Sequence, residues 1–165
     1  MRILSKTFLF ILLLAACSTK TYITDAKKLK DKRIAVTEIV LGTAQQKNKV
    51  RTDTLCDCLA SSVAESLYPY LQQAGMTVIN LPVTGKSKEG GAYRKADSLQ
   101  LDYLIFGSGL IEFTGKAAFM RTLSLKIVDA KSWEVKASGN FSGPSVTPSG
   151  AAKRIGKKLV SQMKK

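Results

Sequence analysis

The chain has 165 residues, 26 of them basic and 12 acidic, with a formal charge of +14 and no histidine. Without imidazole the commonest general base, every histidine-dependent triad and the commonest metal ligand are excluded. The length suits one domain with an adequate core and calls for no second.

Met1 to Ala16 has the three parts of an export signal: a basic start (Arg2, Lys6), an unbroken apolar run from Phe8 to Leu14, and small residues at Ala15 and Ala16. A membrane-spanning helix needs about 20 apolar residues. Here the run ends quickly and the polar Ser18-Thr19-Lys20 follows, so cleavage is expected and not retention as a span. Leu14-Ala15-Ala16-Cys17 resembles the bacterial lipobox, whose cysteine takes a diacylglyceryl group and becomes the first residue of the mature chain. The alternative is a plain signal peptide cut near Ala16, with Cys17 a spare thiol. Each buried methylene contributes about 0.8 kcal/mol, so one acyl chain binds reversibly while two or more, palmitate among them, hold firmly. Ser18 in place of an aspartate favours the outer membrane, by resemblance to enterobacterial sorting.

Removing 16 residues leaves 149, and taking Arg2 and Lys6 from the 26 basic residues leaves 24 against 12 acidic, a formal +12. That balance suits an anionic partner such as lipid headgroups, lipopolysaccharide or cell-wall polymer, or else simply a basic soluble surface. Export makes nucleic acid the wrong partner.

From Cys17 to Arg33 the chain is polar and basic, and reads as a tether beside the anchor, with the folded domain spanning 34–165. Ile34 to Leu41 is β-rich, ends at Gly42, and reads as the first strand. A polar loop runs from Thr43 to about Arg51. Thr52 or Asp53 is placed to cap a helix on which Leu55, Leu59, Val63, Leu67 and Leu71 recur at i+4. Pro69 predicts a kink or early stop, and Gly75 a C-terminal cap. Met76 to Leu81 reads as a strand parallel or close to the first. Thr84 to Tyr93, with three glycines among lysines, is the expected mobile loop. A short helix from about Tyr93 to Leu99 leads into a long apolar strand, Tyr103 to Phe113. After a turn near Gly115 a strand carries Leu123, Leu125, Ile127 and Val128, and a hairpin at Asp129 to Trp133 returns through Glu134 to Ser142. Ser149 to Met163 regains helical spacing through Ala152, Ile155, Leu159 and Met163. The order β-α-β-α-β-β-β-α implies an α/β fold, a small mixed β-sheet with helices packed on it.

Carboxylates alone could form an acid–base pair, but they are scattered, and Asp102 before a buried strand suits a structural or capping role. Asp97, Asp102 and Asp129 are the candidates for a carboxylate hydrolase. Gly107-Ser108-Gly109 lacks the helix and lysine of a phosphate cradle and fits a strand crossing or bulge better. Cys56 and Cys58 point about 200° apart on a helix, so they neither pair nor chelate one ion. Cys56 falls on the apolar face, and Cys58 nearly opposite, where an intermolecular disulfide or an inert thiol are the alternatives. Lys153, Arg154, Lys157, Lys158, Lys164 and Lys165 give the last helix a basic face that suits a membrane surface, an acidic partner, or plain solvation.

Arg33 to Val36, Thr54 to Asn80, Ala96 to Ser108, Leu123 to Asp129 and Trp133-Glu134-Val135 resemble the periplasm-facing lipoprotein domain shared by the curli-secretion protein CsgG and the penicillin-binding-protein activator LpoB. Leu101-Asp102-Tyr103-Leu104 with Gly107 is its most distinctive portion. The resemblance implies a non-enzymatic domain, CsgG-like or LpoB-like, that builds an export channel or docks onto an envelope enzyme. A spanning hairpin needs two strands of about 9–11 residues, and the loops at Thr43 to Arg51 and Pro82 to Ala92 are too short and polar for pore formation. The expectation is therefore a lipid-anchored accessory or assembly factor with no cofactor, metal or catalytic residue, lipidated at Cys17, with an envelope protein as partner. The alternative is a subunit of an oligomeric secretion or envelope assembly.

Overall fold

The computed structural model describes residues 18–24, 29–43, 49–81 and 96–164. In chain order the elements are β1 (Ser18–Ile23), β2 (Arg33–Thr43), α1 (Lys49–Gln73), β3 (Thr77–Val78), β4 (Tyr103–Thr114), β5 (Ala117–Asp129), β6 (Val135–Val146) and α2 (Pro148–Met163). A helical turn at 96–98 precedes β4. The strands form one sheet in the order β1-β6-β5-β4-β2-β3. β2 is parallel to β3 and β4, while β4, β5, β6 and β1 pair antiparallel in turn. The class is thus the expected α/β fold with a small mixed sheet, carrying one strand more than the predicted order.

That strand comes from the stretch read as a tether. Residues 18–23 pair along β6, from Ser18 against Ser142 to Ile23 against Ala137. Leu29, from the same stretch, is fully buried in the core. The strand escapes a search for apolar runs because its inward positions are Thr19, Thr21 and Ile23, two of them polar, although all three are β-branched and favour extended backbone. β3 departs in the other direction, being two residues long where Met76 to Leu81 was expected. Ile79 still donates to the Ile34 carbonyl at 2.8 Å, but Ile79 and Leu81 then leave the ladder to pack on the sheet. β6 continues to Val146, beyond Ser142, because its register with β5 shifts between Met120 and Thr122, where Pro144 is accommodated.

Helix α1 begins at Lys49, upstream of the expected caps Thr52 and Asp53, since Lys49, Val50 and Arg51 contain no helix breaker. It passes through Pro69 without stopping. Proline withholds the donor that Glu65 would receive four residues earlier, but Pro69 lies on the exposed side, where water can serve that carbonyl. Cys56, Ala60, Val63, Ala64, Leu67 and Leu71 form the buried stripe; the side chain of Leu55 lies outside the described residues. The helix ends as Gly75 predicts. Met76 donates to Leu71 O (3.1 Å) and Gly75 to Gln72 O (2.9 Å), the paired bonds of a Schellman turn, with Gly75 at φ +87 and Met76 buried beside Leu71.

Both long helices cover one face of the sheet. Ile34, Val36 and Ile39 of β2, Tyr103, Ile105 and Ile111 of β4, Met120, Leu123, Leu125 and Ile127 of β5, and Ala137 and Phe141 of β6 meet the α1 stripe and Ala151, Ala152, Ile155 and Leu159 of α2. On the opposite face Ala35, Leu104, Ala96 and Leu101 make a smaller cluster, flanked by Phe106 and Trp133. Of the expected helix over Tyr93 to Leu99, a helical turn is found at 96–98; residues 93–95, all of the predicted loop Thr84 to Tyr93 and residues 44–48 of the earlier loop lie outside the described residues.

Candidate interaction surface

Residues 1–17, with the expected leader and Cys17, lie outside the described residues, but Ser18 is already the first residue of β1. β1 sits at the edge of the sheet against α2. Thr24 N donates to Lys136 O, so Ser18, Lys20 and Tyr22 share the phase that bonds to β6, and the carbonyls of Thr19 and Thr21 point to the free edge. α2 occupies both: Lys158 Nζ donates to Thr19 O, and Gln162 Nε2 to Thr21 O at 3.1 Å. An open sheet edge invites pairing with another chain, and here helical side chains cover it. The same seam holds the two buried side-chain oxygens that have no hydrogen-bond partner among the described residues, Thr21 Oγ1 and Gln162 Oε1.

α2 is built to lie there. Thr147 caps it by accepting from Gly150 N (3.1 Å), and Pro148 takes the first turn, where no donor is needed. Gly139 of β6 admits it closely, since a Cβ there would stand 2.2 Å from Ile155 Cγ2. With this face turned inward, Lys153, Arg154, Lys157, Lys158 and Lys164 are exposed. The helix contains no acidic residue, and among the described residues none of these five forms an ion pair. Arg154 also covers the Phe141 ring, its guanidinium carbon 5.8 Å from the centroid. Lys165 lies outside the described residues.

Away from the helices, cross-strand rows Val40-Ser108-Ser124-Asn140-Lys20 and Gly42-Leu110-Thr122-Ser142-Ser18 form an outer sheet face of mostly small polar residues. Trp133, held at φ +62 in the β5–β6 hairpin, lays its ring 6.2 Å from Phe106 and closes the end of that face over Leu104.

The remaining candidates fall apart spatially or into structural roles. Cys56 is buried and Cys58 exposed, as the helical phase predicts. Asp97 is exposed. Asp102 accepts from Arg33 N at 2.9 Å and from Lys32 Nζ at 3.2 Å, tying the start of β4 to that of β2, which is the structural role expected of it. Asp129 accepts from Lys131 N and Ser132 N, both at 2.9 Å, and the backbone donor of Ser132 above all holds its carboxyl below the ordinary range. A carboxyl so stabilised as an anion is a poor proton donor at neutral pH. Burial, then the nearby Asp129, raises the Tyr103 hydroxyl, and a hydrogen bond from its ammonium to Glu134 raises Lys136. Among the described residues there is no group of three or more Cys, Asp or Glu able to hold a metal. Gly107 and Gly109 lie within β4, ahead of an irregularity at Leu110/Ile111, where a Cβ would meet Leu125 at 2.8 Å or Thr122 O at 2.7 Å. They serve strand packing. The β1–α2 seam is the feature that sequence patterns missed, the available signal being the β-branched alternation of Thr19, Thr21 and Ile23.

No protein-family model and no curated protein matches the chain. Among solved structures it is similar to PelC from Paraburkholderia phytofirmans, crystallised as a dodecamer (15% identity, TM-score 0.48, covering 89% of this chain and 97% of that one). It is also similar to the LpoB C-terminal domain from Salmonella enterica (15%, 0.45, 69% and 84%) and to lipoprotein GNA1162 from Neisseria meningitidis (14%, 0.44, 81% and 98%). With TM-scores below 0.5 the likeness is a loose one of element arrangement, and no activity carries over from it.

Proposed function

We propose that this chain is a bacterial envelope lipoprotein, a non-enzymatic α/β domain fixed by acylated Cys17 to the outer membrane and facing the periplasm, where it acts as a binding or assembly accessory factor. The observation that carries the reading is Leu14-Ala15-Ala16-Cys17 closing a basic and then apolar leader. Cys17 directly precedes the first residue of β1, so cleavage before it would leave every described element intact. The carboxylates of Asp102 and Asp129 support a non-catalytic role, being committed to backbone donors that hold strands and a hairpin together. Mass spectrometry of the native product is expected to find diacylglyceryl-modified Cys17 as the first residue; an unmodified thiol or an intact leader would end the proposal. Affinity capture from detergent-solubilised envelope is expected to recover a stable protein partner, and repeated recovery of none removes the accessory role.

The second reading is a subunit of an oligomeric envelope assembly, favoured by the exposed thiol of Cys58. Strand addition at β1 is disfavoured, because Lys158 and Gln162 occupy its outward carbonyls. Sizing the protein with and without reductant separates the cases: a reductant-sensitive multimer supports a Cys58 link, and a monomer at high concentration in both removes it.

A further inference from the structure

We propose that the exposed face of α2 is a membrane-contact surface, which binds the anionic headgroups of the leaflet bearing the anchor and so lays the domain down on it in one orientation. The location of the face relative to the bilayer rests on the Cys17 anchoring proposed above. At 100° per residue, Lys153, Lys164, Lys157, Ser161, Arg154 and Lys158 occupy in that rotational order an arc of about 140°, and all six are exposed. The buried residues Ala151, Ala152, Ile155, Gly156, Leu159 and Val160 take the rest of the circumference. An amphipathic helix whose solvent arc carries only cationic or hydroxylic side chains, with no carboxylate among them, complements a uniformly anionic plane better than it does a protein of mixed charge.

Topology supplies the second argument. Lys158 bonds to the carbonyl of Thr19, two residues after Cys17, and consecutive Cα atoms are about 3.8 Å apart. An acylated Cys17 therefore cannot be far from this helix, because β1 leaves no slack between them. The strand that replaced the expected tether thus turns a general attraction into a geometric one: the anchor and the basic arc share one edge of the molecule. Lys126 of β5 and Lys131 of the β5–β6 hairpin lie on other elements and provide internal controls.

The test is lysine-modification footprinting by mass spectrometry on the full chain, purified in detergent and reconstituted into vesicles of phosphatidylcholine alone or mixed with phosphatidylglycerol. Labelling of Lys153, Lys157 and Lys164 is expected to slow at least fivefold in the anionic vesicles, to recover at high salt as the charges are screened, and to leave Lys126 and Lys131 unchanged. The double substitution Lys153→Glu and Lys157→Glu, at two exposed positions, should abolish the protection of Lys164 while the circular dichroism spectrum is retained. Equal labelling of α2 in the two vesicle types overturns the proposal. So does protection by a soluble acidic protein or polyanion with none from anionic vesicles. The amino-terminal peptide of the same digest reports acylation of Cys17 separately, so failure of the anchor and failure of the surface are distinguishable.

Discussion

Asp129 is a small case of how a loop acquires pH sensitivity. Its carboxylate accepts two backbone donors from the turn it closes, which places its proton affinity below the ordinary value of 3.8. A group lowered in the folded state stabilises the fold above its unfolded value and ceases to do so as pH falls through the folded one. Unfolding in denaturant between pH 7 and 2 should therefore show a loss below about pH 4 that is shallower in Asp129→Asn, whose amide oxygen still accepts but does not titrate. Thr21 is the opposite case, a hydroxyl buried at the β1–α2 seam with no partner among the described residues. A buried polar group left unmade costs about 1–3 kcal/mol, so Thr21→Val, equal in shape and equally suited to a strand, should be neutral or raise stability by up to about 1 kcal/mol. A loss beyond that in urea unfolding would show that the hydroxyl is bonded in solution.

Between elements, the docking of α2 on β6 depends on one missing side chain. Gly139 lies beneath Ile155, and the 2.2 Å separation that a Cβ would have from it is far inside any contact distance. Gly139→Ala must displace the helix or force Ile155 from its rotamer, an overpacking cost of about 1–3 kcal/mol. Since the clash involves a single partner, Ile155→Ala should relieve it, and the double variant should be less destabilised than the two single losses together. Strict additivity in a double-mutant cycle would place the cost elsewhere. Because α2 also covers the edge of β1, the Gly139 variant is expected to loosen the amino-terminal strand too, visible as faster amide exchange at Thr21 and Ile23.

For the molecule as a whole, β1 closes one side of the sheet. Deleting residues 18–23 would strip Lys158 and Gln162 of their acceptors and expose the β6 ladder that now pairs from Ser142 to Ala137. An uncovered strand of that length is a template for another copy. The deletion is expected to lower the melting temperature and produce concentration-dependent association in sedimentation; an unaltered monomer of unaltered stability would show the strand to be dispensable.

Patterns carried within one segment are legible in the residues themselves. The basic and then apolar start and the Leu14-Ala15-Ala16-Cys17 stretch are local patterns, the absence of histidine is compositional, and the α1 stripe, the Gly75 cap, the Asp129 hairpin and the opposite phases of Cys56 and Cys58 follow from a helical or extended period set by neighbouring residues. The role of Ser18 to Ile23 is not local. A short polar alternation has no stability of its own and resembles coil until β6 offers a ladder on one side and α2, some 140 residues away in the chain, offers donors on the other. Likewise the basic residues of α2 are visible in the sequence as a count, but only packing decides which arc faces water and that this arc lies beside β1, because burial of Ile155 and Leu159 fixes the rotation of the helix.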